Sequence, residues 1–335
     1  MPRLPLAEAV ERLQSPYALE TFAALGGQSI LIVDCRGPTS VAAAPLAIAG
    51  ARLAELACPS VAIVDPSPTL APPPLLDRFD VVVSSERELA PILAVVARAP
   101  LAAMTLVQLL RHSAGLGTHE GLVAESLAYS TLQRGPEFSS WLAGRRRPAP
   151  AEKRAEPAVL TKRDGPRLDL VLNRPARRNA LSVEMRDALV EALRLASSDA
   201  TIAEIVLSGN GPAFSAGGDL DEFGMFPDPA TAHGVRAIRG PARALAACAD
   251  RVRVELHGAC VGAGIELAAF ARRVIARPDA FFQLPEVTMG LVPGAGGTVS
   301  IPRRVGRQRA AYLCLSAVRL DAESALAWGL VDEIR

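Results

Sequence analysis

The chain has 335 residues, half of them apolar, which is enough to bury the core of one large domain or two ordinary ones. Its formal net charge is +1, and Lys153 and Lys162 are its only lysines, so no basic excess indicates a nucleic-acid partner. The composition predicts a globular protein that does not bind nucleic acid.

The five cysteines are scattered and form no CxxC pair; they are Cys35, Cys58, Cys248, Cys260 and Cys314. Such a pattern is typical of buried, reduced thiols, so we expect a cytoplasmic protein without disulfides. The N-terminus lacks a basic segment followed by an apolar one, and no apolar run reaches about 18 residues without Gly, Pro or a charge. We expect neither export nor a membrane partner.

The first half of the chain predicts a small α/β segment followed by about four helices. Two short apolar runs, Ser29 to Asp34 and Pro59 to Asp65, end at turn residues as buried strands do, and Ala42 to Leu56 between them is typical of a helix. After a proline cluster, apolar residues recur at helical spacing in three stretches. These are Glu86 to Ala97, Leu101 to Leu110, and Glu120 to Leu132, the last ended by Gly135 and Pro136.

The segment 144–157, GRRRPAPAEKRAEP, is the clearest break in the chain. Arginines, prolines and other charges follow one another there without apolar periodicity, which predicts a linker with domain bounds at 147–157. The basic run also fits a binding patch, but a short arginine run beside prolines is more often solvated linker. The resulting division is 1–83 for the α/β segment, 84–146 for the helices and 158–335 for a second folded unit.

Downstream of the linker, strands and helices alternate. Ser182 to Ser197 is an amphipathic helix with Ser182 as its N-cap. The predicted strands are Arg167 to Leu172, Glu204 to Ser208, Arg253 to Leu256, Val274 to Ala276 and Phe281 to Gln283. This βαβ order favours an α/β fold with parallel pairing.

The segment VGAGIELAAFA, Val261 to Ala271, carries the first candidate site residues. Its glycines let the backbone enter a helix while staying open to a ligand, and the first N–H groups of a helix have no intrahelical acceptor. The N–H of Ala263 is then a candidate donor to an oxyanion, with Glu266 projecting into the same space. Close packing of the helix on a sheet explains Gly262 and Gly264 equally well. The GxG alone is poor evidence for a dinucleotide site.

Two further loops carry candidate residues. In PAFSAGGDLDEF, Gly217 and Gly218 allow backbone N–H groups to face a cavity, although a glycine turn capped by Asp219 is the simpler interpretation. In FFQLPEVTMGLVPGAGG, Glu286 lies between apolar residues, where an acid is costly to bury unless it has a partner or a function. Each loop is weak evidence by itself.

Taken together, the segments FSAGGDL, HGACVGAGIEL and LPEVTMGLVPGAGGTVSIPRRVG resemble the crotonase, or enoyl-CoA hydratase/isomerase, family over Arg167 to Arg335. The resemblance implies that the N–H groups of Gly218 and Ala263 form an oxyanion hole for a thioester carbonyl. It also implies that Glu266 and Glu286 are two catalytic carboxylates, a pair that favours syn addition of water to a 2-enoyl-CoA. In the family, Glu286 would supply the proton to C2 and Glu266 would orient and activate the water.

The resemblance further implies an acyl-CoA thioester as substrate, with coenzyme A as part of that substrate and no separate cofactor. Arg177 and Arg178 match a segment that lies near the CoA nucleotide in relatives, although surface charge explains them equally well. His233 and His257 have no partner at metal-ligand spacing, so we expect no metal site. The other implied substrate-binding residues are Ala216, Asp219, Leu220, Gly262, Pro293 and Gly294.

The chain departs from the family pattern at two places. Ala271 and Arg272 stand where many relatives have a Cys-Asp pair, which alters a local structural bond. The sequence ends at GLVDEIR, where family members continue into C-terminal helices, and the segments 84–111 and 121–146 resemble that region. We therefore expect an α/β, crotonase-like spiral of ββα units on which the helical N-terminal region packs as the family's C-terminal helices. Circular permutation or a degenerate first copy would produce this order, and the resemblance also implies a homo-oligomer, a trimer or hexamer.

Two other functions stay open on the sequence. A Δ3,Δ2-enoyl-CoA isomerase of the same fold would use Glu286 alone. A non-catalytic scaffold subunit would bind CoA esters while its N-terminal half regulates a partner. The sequence does not give the acyl chain length, because loops such as Phe223 to Ile238 shape the acyl pocket in this fold.

Overall fold

The computed structural model describes residues 2–37, 41–66, 73–145, 156–225 and 227–335. The first part of the chain forms a four-stranded sheet in which each strand pairs in parallel with the next along the chain. Its strands are β1 (Arg3–Pro5), β2 (Leu31–Asp34), β3 (Ser60–Ile63) and β4 (Val81–Val83). The helices between them are α1 (Leu6–Leu13), α2 (Ala18–Thr21) and α3 (Ala43–Glu55).

The predicted strands at 29–34 and 59–65 and the helix between them are confirmed as β2, β3 and α3. The two inner strands are apolar without alternation because both of their faces are buried, and Val33 and Val61 are 0% exposed. The sequence analysis missed β1 and β4, since three residues are too few to show a period.

Four helices follow the first sheet: α4 (Glu86–Arg98), α5 (Pro100–Ser113), α6 (Thr118–Leu132) and α7 (Pro136–Ala143). The predicted helices at 86–97, 101–110 and 120–132 are confirmed as the first three. Pro136, predicted only to end a helix, opens α7, where its missing N–H costs no hydrogen bond. Most of the predicted linker, 146–155, lies outside the described residues.

Among the described residues, no single helix is both long and apolar enough to cross a bilayer, whereas the pair α4 and α5, bent by 113°, meets those criteria jointly.

The second half of the chain is built on a six-stranded and a three-stranded sheet. Its strands are β5 (Val159–Asp164), β6 (Arg167–Leu172), β7 (Glu204–Gly209), β8 (Val252–Leu256), β9 (Ala259–Val261), β10 (Arg273–Ala276), β11 (Phe281–Gln283), β12 (Leu320–Asp321) and β13 (Glu333–Ile334). Its helices are α8 (Val183–Ser198), α9 (Pro229–Arg239), α10 (Pro241–Ala246), α11 (Ala263–Ala268), α12 (Gly297–Val305), α13 (Arg307–Ser316) and α14 (Ala322–Trp328). The strand orders are β13-β10-β8-β7-β6-β5 and β12-β11-β9.

Parallel pairing is confirmed along the predicted strands, from β6 through β7 and β8 to β10, and β11 pairs in parallel with β9. The sequence analysis missed β5, an antiparallel partner of β6 in which every residue after Val159 is exposed. Ser182 caps α8 as predicted, because its Oγ accepts the N–H of Met185 at 3.3 Å. The result is a mixed α/β fold with parallel sheets.

The helices α4 to α6 pack on the second half of the chain. α5 and α6 contact α12, α4 and α5 contact α13, and α6 contacts α9. One hydrophobic core therefore contains residues of both halves, from Ile30 to Val331. The equivalence of these helices to the family's C-terminal helices, by permutation or duplication, stays a prediction.

Asp80 joins the first sheet to both helical layers and is 1% exposed. Its carboxylate accepts Nε of Arg111 on α5 at 2.8 Å and Nη1 of Arg307 on α13 at 3.1 Å. It also accepts the backbone N–H and the hydroxyl of Ser60, each at 2.9 Å. Loss of this carboxylate would leave two largely buried guanidinium groups without their shared partner.

Asp80→Asn should therefore lower the free energy of unfolding by about 3–5 kcal/mol, the range found when one partner of a buried ion pair is removed. Urea denaturation followed by circular dichroism measures the change. The matched control is Glu8→Gln, which breaks the exposed pair of Glu8 with Arg12 and should change stability by less than about 0.5 kcal/mol. Equal effects of the two substitutions would contradict the role of Asp80.

Candidate active site

The loop that follows β7 runs alongside β9 and reaches the start of α11. Ser215 donates its N–H to Ala259 O at 3.1 Å and accepts the N–H of Val261 at 3.0 Å. Gly217 has a φ of +92°, and a Cβ there would lie 2.9 Å from Val261 O and 3.7 Å from the nitrogen of Ala263. Only glycine allows the two backbones to approach this closely at that φ.

Two backbone N–H groups at this approach have no acceptor in the described part of the chain. Leu181 donates to Gly217 O at 2.7 Å and accepts from Asp219 N–H at 3.0 Å, so the N–H of Gly218 between them points away from Leu181. Ala263 is the first residue of α11, where an N–H has no intrahelical acceptor. Both residues line one cavity, which makes their N–H groups available to a ligand oxygen.

Glu266 lies on α11 and is 2% exposed. Its Oε2 accepts the N–H of Ala295 at 2.7 Å and the N–H of Gly297 at 2.9 Å. Burial raises the pKa of Glu266 well above its usual range, the charges of Glu286 and Glu125 raise it further, and the two hydrogen bonds oppose that rise. Because these bonds are made to the carboxylate, they favour its charged form and fix its orientation.

Glu286 begins the 3₁₀ turn Glu286–Met289 and is 8% exposed. A Cβ on Gly262 would overlap Oε1 of Glu286, so the side chain lies against the entry to α11. Its Oε2 is buried and has no hydrogen-bond partner among the described residues. Burial raises the pKa of Glu286 to about 8 against the effect of a hydrogen bond from its own backbone, and the charge of Glu125 contributes to the rise. Burial therefore favours the protonated form of Glu286.

A third carboxylate, Glu125 on α6, approaches from the first half of the chain and is 2% exposed. Its Oε1 accepts the N–H of Gly296 at 2.7 Å, and its Oε2 accepts the N–H of Thr298 at 2.9 Å and the hydroxyl of Thr298 at 2.7 Å. Burial raises the pKa of Glu125 to about 7, against the effect of these hydrogen bonds. The sequence analysis missed Glu125; the available signal was its helical phase, four residues from both Gly121 and Tyr129.

The four residues predicted to be catalytic line one cavity of about 310 Å³. A second cavity of about 180 Å³, lined by Glu125, adjoins it and shares Arg236 and Gly294 with it. The sequence analysis did not select several side chains that also line the first cavity. These include Tyr129, Gln133, Arg186 and Arg236.

Four of the predicted substrate-binding residues lie at or beside the first cavity. Asp219 and Gly294 line the first cavity, and Asp219 also accepts Nη1 of Arg174 at 2.8 Å. Gly262 and Pro293 lie behind the catalytic side chains, the first against Glu286 and the second beside Gly297.

The remaining predicted substrate-binding residues lie outside the cavity. Ala216 donates its N–H to Arg178 O at 2.8 Å, and Leu220 is 37% exposed. Arg177 pairs with Asp221, and its Nη2 lies 3.6 Å from Asp219. Arg178 is exposed and has a φ of +48°. Two carboxylates lie close to Arg177. The contact of Arg177 and Arg178 with the CoA nucleotide stays a prediction.

The histidines considered in the sequence analysis, His233 and His257, have partners typical of structural residues. Nδ1 of His233 lies 2.9 Å from Oγ of Ser126, and Nε2 of His257 lies 2.9 Å from Gly211 O. Near Ala271, where the sequence departs from the family pattern, Nε of Arg304 donates a hydrogen bond to Ala269 O at 2.9 Å. The end of α11 is therefore held by an arginine from α12.

Comparisons with known proteins find matches to the second half of the chain. The family model described as enoyl-CoA hydratase/isomerase matches residues 168–335, which is half of the chain. The chain is 39% identical over 165 residues to 2,3-dehydroadipyl-CoA hydratase of Escherichia coli (strain K12), a match that covers 49% of this chain and 64% of that protein. It is 36% identical over 171 residues to 1,2-epoxyphenylacetyl-CoA isomerase of the same organism, covering 50% of this chain and 65% of that protein. The chain thus spans less than two thirds of the length of both relatives.

A solved structure, that of enoyl-CoA hydratase from Thermoplasma volcanium GSS1, is also similar. It matches with 38% sequence identity and a TM-score of 0.50, over 54% of this chain and 72% of that chain.

The turn that holds Glu266 should not tolerate a side chain at Gly297. A Cβ there would lie 2.6 Å from Cγ of Glu266 and 2.8 Å from its Oε2, so Gly297→Ala should lower the free energy of unfolding by about 1–3 kcal/mol. Chemical denaturation measures this, and a crystal structure should show a displaced Glu266 carboxylate. The control is Gly234→Ala on α9, where nothing lies within 4 Å and helix propensity should add about 0.5–1 kcal/mol. An unmoved carboxylate in Gly297→Ala would contradict the close packing.

Proposed function

Because this chain belongs to the enoyl-CoA hydratase/isomerase family, we propose that it is an enoyl-CoA hydratase, which adds water in a syn sense across the 2,3 double bond of a 2-enoyl-CoA thioester. One observation carries the proposal: two buried carboxylates that differ in their hydrogen bonds line the same cavity as two backbone N–H groups that have no acceptor in the described part of the chain. An acyl-CoA thioester is the substrate, and its CoA part needs no separate cofactor.

The N–H groups of Gly218 and Ala263 bind the thioester carbonyl oxygen. As water attacks C3, negative charge builds on that oxygen, and each preorganised donor contributes roughly 3 kcal/mol to the transition state. The neighbouring glycine loop at Gly217 brings the two donors together, which is why this position needs a positive φ.

The two glutamates take opposite protonation states. The hydrogen bonds from Ala295 and Gly297 favour the carboxylate form of Glu266, which accepts a proton from the attacking water as its oxygen bonds to C3. Glu286 lacks such donors on Oε2 and retains its proton, which it delivers to C2. The product gains one oxygen and two hydrogens, and transfer of the water proton from Glu266 to Glu286 restores the starting state.

A Δ3,Δ2-enoyl-CoA isomerase is the second candidate. The matching family model is described as enoyl-CoA hydratase/isomerase, and Glu286 alone would suffice to move a proton between C2 and C4. The hydrogen-bonded Glu266 favours hydration, because an isomerase has no water to orient.

Substitution of each acid separates these reactions. If the protein is a hydratase, Glu266→Gln and Glu286→Gln should each lower kcat for crotonyl-CoA hydration by about 10²–10⁴-fold, as loss of one acid or base does. Loss of the ultraviolet absorbance of the enoyl thioester follows the reaction. An isomerase would keep most of its activity on a 3-enoyl-CoA in Glu266→Gln. A wild-type protein inactive on short, medium and aromatic enoyl-CoAs would favour a non-catalytic CoA-ester-binding subunit.

The rate should also depend on pH through Glu286. Its pKa is raised to about 8, and it must be protonated to act as an acid, so kcat/KM should fall as pH rises through about 8. Initial rates of crotonyl-CoA hydration between pH 6 and 10 measure this limb. The residual activity of Glu286→Gln, which has no proton to lose at this position, should lack it. If the decrease of kcat/KM at alkaline pH persists in Glu286→Gln, a different residue must be the acid.

A further inference from the structure

Part of the candidate active site comes from α6, outside residues 168–335 of the family match. Glu125, Tyr129 and Gln133 are spaced by four residues and therefore share one face of this helix. Tyr129 and Gln133 line the larger cavity, and Glu125 lines the smaller one. The ring of Tyr129 lies where a Cβ on Gly294 would be, so α6 is seated directly on the 294–298 turn.

Glu125 and Glu266 hold opposite sides of that turn. Glu266 accepts the N–H groups of residues 295 and 297, and Glu125 accepts those of residues 296 and 298. Four consecutive N–H groups are thus divided alternately between two buried carboxylates. The backbone cannot rotate to follow one carboxylate without losing its bonds to the other.

We propose that Glu125 is a positioning residue: by fixing the 294–298 turn from α6, it aims the N–H groups of Ala295 and Gly297 at Glu266 and so holds that carboxylate in its catalytic orientation. The proposal rests on the proposed role of Glu266 as the group that activates water. Glu125 itself does not line the cavity that contains the four predicted catalytic residues.

The charge of Glu125 has effects beyond anchoring the turn. A neutral acceptor such as glutamine would satisfy part of the turn without placing a third ionisable acid among buried groups, where its desolvation is costly. The charge of Glu125 raises the pKa of both Glu266 and Glu286, so it also helps to keep Glu286 protonated. Glu125 therefore affects Glu266 through geometry and charge, and Glu286 through charge alone.

Several ionisable groups surround Glu125 and enter any pH dependence. Arg236 on α9 is the cation that lowers the pKa of Glu125, while burial lowers the pKa of Arg236 itself. The other groups are Glu266, Glu286, Tyr129, Cys314, His119 and His233.

The first test is Glu125→Gln in the full chain. Misplacement of a catalytic group by about 1 Å costs about 10²-fold, so kcat for crotonyl-CoA hydration should fall by about that factor with KM changed less than about threefold. The loss of one negative charge should also lower the pKa of Glu286, so the alkaline limb of kcat/KM should move to lower pH. Unchanged kcat, or a pH profile that falls in amplitude without moving, would overturn the proposal.

A matched control separates positioning from loss of stability. Asp80→Asn also removes a buried, multiply hydrogen-bonded carboxylate, but at the junction of the two halves rather than at the cavity. At a temperature where both variants are folded by circular dichroism, Asp80→Asn should leave kcat and the pH profile within about twofold of wild type, the effect expected of a site remote from the chemistry. Equal kinetic losses in the two variants would reduce Glu125 to a structural residue.

A substitution at Thr298 tests the same interaction from the turn, so it can be used even if Glu125→Gln does not fold. Thr298→Val removes the hydroxyl bond to Oε2 of Glu125 and should lower kcat several-fold, whereas Thr298→Ser retains the hydroxyl and should preserve kcat. Because glutamine retains one acceptor oxygen, the Thr298→Val effect should be smaller in the double variant with Glu125→Gln than in wild type. Additive losses would contradict the proposal.

Hydrogen exchange gives a readout independent of activity. In wild type the N–H groups of residues 295–298 should be protected, and in Glu125→Gln all four should exchange faster, including the two bonded to Glu266. Faster exchange at 296 and 298 alone would overturn the coupling. If the wild-type protein hydrates no enoyl-CoA, the proposed function fails, yet this exchange pattern still decides whether Glu125 orders the turn that holds Glu266.

Discussion

The backbone of the 294–298 turn is the constraint on which the rest of the site depends. Two buried carboxylates, from helices in different halves of the chain, share its consecutive N–H groups. The turn is rich in glycine because both helices close onto it: a Cβ at Gly294 would overlap the ring of Tyr129, and one at Gly297 would overlap Glu266. Gly296 has a φ of +102°, which an L-residue side chain rarely allows.

The same turn explains how two acids of one residue type acquire different properties. Glu266 is surrounded by donors that favour its charged form, while Oε2 of Glu286 has no partner among the described residues. Burial raises the pKa of both; two hydrogen bonds from the turn oppose the rise at Glu266, and a hydrogen bond from its own backbone opposes it at Glu286. The proposed reaction needs an acid and a base at one pH. The N–H groups of Gly218 and Ala263, which have no acceptor in the described part of the chain, line the same cavity as the two acids.

The first half of the chain contributes to this site by packing. The core that joins α4 to α6 with α12 and α13 fixes where Glu125 and Tyr129 lie, and the buried Asp80 links the first sheet to the same helices. The site depends on both halves although the family match covers only the second.

The sequence alone determined the features that depend on neighbouring residues. The strands of the parallel sheet and the Ser182 cap follow from local periodicity and hydrogen-bonding requirements. Gly218, Ala263, Glu266 and Glu286 were identified as site residues by the resemblance of their three segments to a family, because each loop alone is weak evidence. The short strands β1 and β4 and the exposed strand β5 lacked a readable period. Only the tertiary structure decided the partners of the turn, because Glu125 and Gly296 are 171 positions apart and meet through the docking of α6, which no local pattern encodes. The tertiary structure likewise decided that Arg177 pairs with Asp221 and lies near Asp219, because the side-chain partners of a surface arginine depend on how separate loops come together.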